Sequence, residues 1–486
     1  MAILSKNQES LPPYRTLPFF LSLAGGIGFV YAVYPYGVGI TDDSVNYLSA
    51  ALSFPPSLQK IDGTPFIEWP PLYPVILSLY KLFGIPITTF TFITHLLSLV
   101  LSFWLIGTLI SRDIQSPTIK IWGAIICFFS TPLLIIHAFA WSEAFFTTLL
   151  LANIFQLRKY LDKPSKAVLL SILSGIFLLS LQRKSGIIIA FSIGLCLWIF
   201  PDTKKHIWRF ATAALCFLAG LIPFIFYLIN RFIHSGQLIT QKNPPTIDNV
   251  ISNLTDTARV VSTWIIPDEI PLFVRVVIGL GLLLSCAYIY FRVCHPRVSP
   301  YHYCLLIILG AYLCIVNILF AFIKLDDHFD DRIFAPVFPL FLLLLVSIAD
   351  FLYRLPVDSK FARRSIFLLT LGAGLWSMYP VLRATYHLYQ WRENGVGGYS
   401  ATYWRNKPVL SWLRRHPTET PIQSNDIFPV FYHCVIEGKN TPASFMIQDS
   451  GNKPYLYVDF NSEGPSGNTT VLFKSNHDFI YYRETE

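Results

Sequence analysis

The sequence predicts a polytopic α-helical membrane protein, with about eleven transmembrane helices and a small C-terminal α/β soluble domain on the outer face. Three observations predict it. Apolar runs close to bilayer length recur from residue 17 to residue 383. Of 486 residues, 53% are hydrophobic and 14% charged, where a soluble chain carries roughly 25% charged residues. Basic and acidic loops alternate along the chain, the pattern of the positive-inside rule.

The runs fall at 17–36, 86–111, 119–139, 143–160, 167–182, 185–200, 207–230, 271–291, 301–323, 332–353 and 366–383. A span takes roughly 20 residues. Several runs are shorter, and 167–200 reads either as two spans or as one broken hairpin. With the N-terminus inside, the inside loops hold Lys6 and Arg15, Arg112 and Lys120, Arg158 to Lys166, Lys204 to Arg209, Arg292 and Arg297, and Arg354 to Arg364. The outside loops are poorer in cations and hold Asp42, Asp43, Asp62, Glu68, Asp248, Asp256, Asp268, Glu269 and Asp326 to Asp331. Residues from about 384 onward then lie outside. The net charge of +8 is a topology signal and asks for no nucleic-acid partner. The first run lacks a small-residue cleavage site and reads as a retained helix. Seven of the eight Cys lie in or beside spans. Cys434 is alone in the tail, so no disulfide is available there, and no Cys or His spacing suggests zinc.

Within the first outside loop, 37–85, Thr41-Asp42-Asp43-Ser44 opens a helix. Thr41 or Asp42 is a good N-cap, and acids in a first turn suit the helix dipole. Asp43, Tyr47, Ala50, Ala51 and Phe54 share one face. Asp42, Asn46, Ser49 and Ser53 share the other. An amphipathic helix along the membrane interface is expected. Glu68-Trp69-Pro70-Pro71-Leu72-Tyr73-Pro74 then forms a rigid elbow, since Pro is tolerated in a first helical turn. Both acids are equally explained as caps.

Other constellations follow at the same face. Ser142-Glu143 opens a span, where the acid is either an N-cap or a site residue. Arg183-Lys184 breaks the charge rule. Two cations at an outer boundary are costly without a partner, and a phosphate would match them; a re-entrant pair of helices is the other explanation. Asn230-Arg231 and Gly236 mark the exit of the seventh span. Lys324-Leu-Asp-Asp-His328-Phe-Asp-Asp-Arg332 is a candidate for a divalent cation, or a solvated acidic loop paired with its own cations. The tail carries strand-like runs at 455–460 and 469–473 and a short amphipathic helix at 407–416.

Taken in order, these pieces resemble the membrane glycosyltransferases of the GT-C superfamily, in the glycosyltransferase family 39-like branch that holds the protein O-mannosyltransferases and the lipid A aminoarabinose transferases. The matching pieces are Asp42-Asp43 with Tyr47 and Ala50-Ala51; Pro70-Pro71-Leu72-Tyr73-Pro74; Ser142-Glu143; Arg183; Asn230 with Gly236; and Arg332 with Pro336 and Pro339. The tail segment Ile422-Gln-Ser424-Asn425-Asp426 is similar to the soluble domain of bacterial members. The family's acidic pair is often Asp-Glu, and here it is Asp-Asp.

The resemblance implies a catalytic transmembrane domain at 1–383 and a soluble domain at 384–486. It implies transfer of a sugar from a polyprenyl-phosphate donor to an acceptor hydroxyl at the outer face, with inversion. The acceptor would be a lipid, a glycan or a protein. Asp42 is the expected base by family position, with Asp43 second, an order that the helix face would reverse. Arg183, Lys184 and Arg332 are the phosphate candidates. Tyr47, Glu68, Tyr73, Glu143 and Arg231 complete the candidate substrate-binding set. No cofactor is certain, and a divalent cation is possible. A bacterial inner membrane is the favoured location. The competing readings are a secondary transporter, or another polytopic enzyme or scaffold in envelope polysaccharide assembly.

Overall fold

The computed structural model describes residues 16–200, 206–237, 247–289, 299–322, 331–354, 360–418, 420, 422–438, 455–461, 469–475 and 477–483. Every apolar run singled out in the sequence lies on helix. The chain runs through α1 (Leu17–Val33), α2 (Asp42–Ser53), α3 (Leu72–Ser78), α4 (Tyr80–Phe83), α5 (Ile87–Asp113), α6 (Pro117–Phe128), α7 (Thr131–Ala138) and α8 (Ser142–Asp162). Then come α9 (Lys166–Gln182), α10 (Gly186–Ile199), α11 (His206–Ser235), α12 (Ile247–Thr263), α13 (Leu272–Ile289), α14 (Pro300–Phe322), α15 (Asp331–Phe334), α16 (Phe338–Tyr353) and α17 (Lys360–Asn394). Among the described residues, α5, α11, α14 and the stretch Arg332–Tyr353 are long and apolar enough to cross a membrane. The protein is a multi-pass membrane protein.

Three details differ from expectation. The run 119–139 is two helices, α6 and α7, bent by 41°. Pro132 cannot donate in the new first turn, and the Ser130 hydroxyl accepts from Leu133 N at 3.4 Å. The stretch 231–270, expected to be an outside loop, holds a long helix, α12, which has no apolar run to announce it. Finally, α2 is not amphipathic in its setting. Residues 44 to 51 are all buried, because Ser and Ala side chains let neighbours approach on every side, α3 and the short helix Ile427–Phe431 among them.

The chain divides into two compact units. One comprises residues 1–27, 97–136 and 143–386; the other comprises 28–96, 137–142 and 387–486. In the first, α9, α10 and α11 pack together, α10 meets α14, and α14 and α6 both pack on α16. Polar pins lie among these helices. Asp350, 1% exposed, accepts from the backbone of Gln115 and Ser116 at 3.2 and 2.8 Å and from Arg354 Nε at 3.0 Å. Such partners are what a buried carboxylate requires.

In the second unit, the tail forms α18 (Thr402–Arg405), α19 (Pro408–Arg415), β1 (Ile422–Ser424), α20 (Ile427–Phe431) and a π-turn at Tyr432–Ile436. Strands β2 (Tyr455–Asp459), β3 (Thr469–Ser475) and β4 (Asp478–Arg483) follow. The sheet order is β1-β2-β4-β3, with β1 parallel to β2 and the other pairs antiparallel. Lys407 is locked beneath the sheet. Its ammonium donates to both Asp478 oxygens at 3.0 Å and faces the Tyr403, Trp404 and Phe460 rings.

Candidate functional site

The acidic pair opens α2 in the second unit. Thr41 is the N-cap in extended geometry. Its backbone N–H donates to Ser44 Oγ at 3.1 Å, the reciprocal half of a capping box. Trp141 Nε1 donates to Thr41 Oγ1 at 3.0 Å. Capping is thus done by Thr41, which leaves Asp42 and Asp43 in the first turn, where a negative charge is favoured by the dipole. Asp42 is exposed and Asp43 half-buried.

Asp42 has a specific partner. Tyr399 donates its phenolic hydrogen to Asp42 Oδ1 at 2.6 Å. Asp426, the N-cap of α20, lies near the same hydroxyl. Burial, then the Asp42 hydrogen bond and the Asp426 charge, push the Tyr399 hydroxyl above its ordinary value. Burial and the Asp42 charge push the Asp426 carboxyl up in turn.

Tyr399 is clamped through its backbone. Gly39 and Phe139, and Ile40 and Gly398, pair as parallel bridges. Tyr399 N donates to Ile40 O at 2.7 Å and Ile40 N to Gly397 O at 3.3 Å. The approach demands glycine at 398, which has φ +61° and where a Cβ would stand 1.9 Å from Ile40 O. On its other side the Tyr399 carbonyl accepts from His433 Nε2 at 2.9 Å. His433 Nδ1 lies 3.1 Å from Glu437 Oε2. Arg405 Nη2 donates to Glu437 Oε1 at 2.7 Å and to Tyr36 O at 3.0 Å.

One turn beyond the acids, a polar row runs through aromatic rings. Tyr47 meets Tyr73 edge-on at 5.0 Å and packs on Phe66 and Trp69. The Tyr47 hydroxyl donates to Ser142 Oγ at 3.4 Å. The fully buried Tyr73 contacts His95 Nε2 at 2.7 Å through its hydroxyl. His95 Nδ1 lies 2.9 Å from His137 O. A carbonyl only accepts, so Nδ1 carries the proton and Nε2 accepts from Tyr73. Glu68 is held by Lys60 at 3.1 Å.

The predicted cations gather in the first unit. Arg183 ends α9, and Gly186 starts α10 where a Cβ would lie 2.5 Å from the Leu179 carbonyl. Arg183 forms an ion pair with Glu143 in the first turn of α8. The cost of an outer-boundary cation is therefore met at Arg183 by a carboxylate of the chain itself, which no spacing in the sequence announced. Lys184 lies over the Tyr227 ring at 4.9 Å, and Arg231 Nη1 donates to the Tyr227 hydroxyl at 3.2 Å. Tyr312, near Arg183 and Glu143, donates to Ile333 O at 3.0 Å, beside Arg332 in α15. Glu143 and Arg183 are thus joined by an ion pair, and Lys184 and Arg231 meet at Tyr227.

The second unit brings together Asp42, Asp43, Tyr47, Glu68 and Tyr73. The sequence reading missed Tyr399 and His95 as members, and touched Asp426 only as part of a tail segment. The acidic loop 324–331, named as a possible cation site, lies outside the described residues save for Asp331. Among the described residues, no group of three His, Cys, Asp or Glu side chains is placed to hold a metal.

No protein-family model and no curated protein matches the sequence. Solved structures match its fold, two of them of one protein. One is ArnT from Cupriavidus metallidurans bound to undecaprenyl phosphate, with TM-score 0.61, 11% identity, and coverage of 97% of this chain and 98% of that one. The other is ArnT of the same organism in the apo state, with TM-score 0.61, 11% identity, and coverage of 96% and 97%. The chain has the fold of ArnT. That is the GT-C fold which the ordered motifs suggested. At 11% identity the ArnT likeness carries the architecture alone, and the chemistry rests on the residues above.

Proposed function

We propose that the protein is a membrane glycosyltransferase that moves a sugar from a polyprenyl-phosphate donor to an acceptor hydroxyl, with inversion at the anomeric carbon. The observation that carries this reading is the exposed first-turn Asp42, held by Tyr399, on the fold of a protein solved with undecaprenyl phosphate; Arg183, Lys184 and Arg332 are the phosphate candidates in this reading. Asp42 takes the hydroxyl proton of the acceptor. The freed oxygen forms a bond to the anomeric carbon as the bond from that carbon to the phosphate oxygen breaks. The proton ends on the carboxyl, and polyprenyl phosphate leaves as an anion. General-base help of this kind is worth about 10²–10⁴-fold, and cations on the leaving phosphate supply the electrostatic part.

Asp43 is the second candidate base, disfavoured because Asp42 is the one that receives the Tyr399 hydrogen bond. Tyr47, Tyr73 and Glu68 in one unit, and Glu143 in the other, are each pinned by a neighbour and are substrate-binding candidates in this reading. In this reading residues 1–383 are the catalytic membrane domain, and residues 384–486 form a soluble domain on the outer face of a bacterial inner membrane. The test is consumption of radiolabelled undecaprenyl-phosphate sugars by the purified protein, over a panel of hexoses and pentoses. Release of undecaprenyl phosphate with any member supports the reading. No release across the panel, from protein that elutes as a folded species, overturns it in favour of a transporter or scaffold.

A further inference from the structure

We propose that Tyr399 is a positioning residue for Asp42, a tail hydroxyl that holds the exposed carboxylate in one orientation. This rests on the glycosyltransferase reading above and deepens it, because it gives the tail segment a part in the reaction.

The geometry supplies the argument. Asp42 is exposed on α2, so nothing in its own helix fixes its rotamer. The one short hydrogen bond recorded for its carboxylate comes from a residue 357 positions away. That residue has no freedom of its own. Its N–H is spent on Ile40 O, its carbonyl on His433, and its ring packs edge-on against Trp404 at 5.5 Å. The next carbonyl, that of Ser400, accepts from Arg405 Nε at 2.9 Å. Arg405 and His433 meet on Glu437, which closes the clamp. A hydroxyl held so firmly, aimed at an exposed carboxylate, orients it.

The experiment compares kcat and KM for donor turnover by the full-length protein. Tyr399→Phe lowers kcat about tenfold with donor KM little changed, the split expected when a reacting group loses its orientation while the donor site stays intact. Wild-type kcat in a folded Tyr399→Phe protein overturns the proposal. If Tyr399→Phe fails to elute as wild type does, His433→Ala decides: it releases the Tyr399 carbonyl and leaves the hydroxyl in place, so kcat falls with KM unchanged, and wild-type kcat overturns the proposal. Asp42→Asn separates the two levels of the argument. A dead Asp42→Asn protein beside wild-type kcat in Tyr399→Phe sinks only the positioning role. An active Asp42→Asn protein removes Asp42 as the base, and this proposal with it.

Discussion

Arg183, at the end of α9, and Glu143, in the first turn of α8, form an ion pair in which the glutamate side chain is 4% exposed and the arginine 23%. Removing one member of such a pair strands the other. Arg183→Met is expected to destabilise the protein by about 3 kcal/mol, read as a lower melting temperature in detergent. The double change Arg183→Met and Glu143→Leu should recover most of that loss, since the stranded carboxylate is gone. Donor turnover should stay low in both, because the phosphate loses its cation either way. A single variant as stable as the double would contradict this.

Tyr73 and His95 make the same point for neutral groups. Tyr73→Phe removes a donor from His95 Nε2 at a site where Tyr73 is fully buried. Leaving that acceptor unmatched is expected to cost about 1–3 kcal/mol. Thermal unfolding followed by tryptophan fluorescence checks it. An unchanged melting temperature would mean that the row is not a structural pin.

Lys407 and Asp478 hold the tail's α19 against its sheet with two 3.0 Å bonds. Asp478→Asn leaves a buried ammonium beside a neutral amide, at an expected cost of about 3 kcal/mol. Limited proteolysis should then cut the tail at lower protease concentration, with the membrane helices untouched. Equal resistance in variant and wild type would show the pair to be dispensable.

Asp426 and Glu437 give opposite pH signatures. Burial raises Asp426 above the ordinary carboxyl value of 3.8, helped by the Asp42 charge. The folded state then holds its proton longer than the unfolded one. Its contribution to stability falls as pH rises through and beyond that value. Burial also opposes the charge on Glu437, but the His433 hydrogen bond and the Arg405 charge win, and it falls below 4.5. Its contribution is present above 4.5 and is lost as pH drops through the lower folded value. Asp426→Asn should therefore stabilise the protein at neutral pH and have no effect well below pH 3.8, whereas Glu437→Gln should destabilise at neutral pH and converge with wild type in acid. Melting temperatures across that range test both signs.

What the sequence made legible follows from the range of each interaction. Apolar runs and the Thr41 cap are local, so the helices and the opening of α2 could be read directly. Arg183 and Lys184 were noticed because cations at a span boundary violate a charge rule, although Glu143, forty residues earlier on another helix, could not be named as the partner. His95 sits inside an apolar helix and reads as core until Tyr73 is seen against it. Tyr399 has no local signal, since its value comes from a bridge to Ile40 that joins distant parts of the chain. The break at Ser130 and Pro132 was visible as residues, yet the apolar run on both sides hid it. Helix α12 was missed because its apolar residues form a stripe with no long run.

The central claim is that Asp42 is the base. The measurement that tests it is turnover of a radiolabelled undecaprenyl-phosphate sugar by wild type, Asp42→Asn and Asp43→Asn, each verified as folded by size-exclusion chromatography. The account predicts that Asp42→Asn loses at least about a hundredfold in kcat while Asp43→Asn retains most of it. Full activity in Asp42→Asn would contradict the account, and loss confined to Asp43→Asn would move the base one residue along the helix.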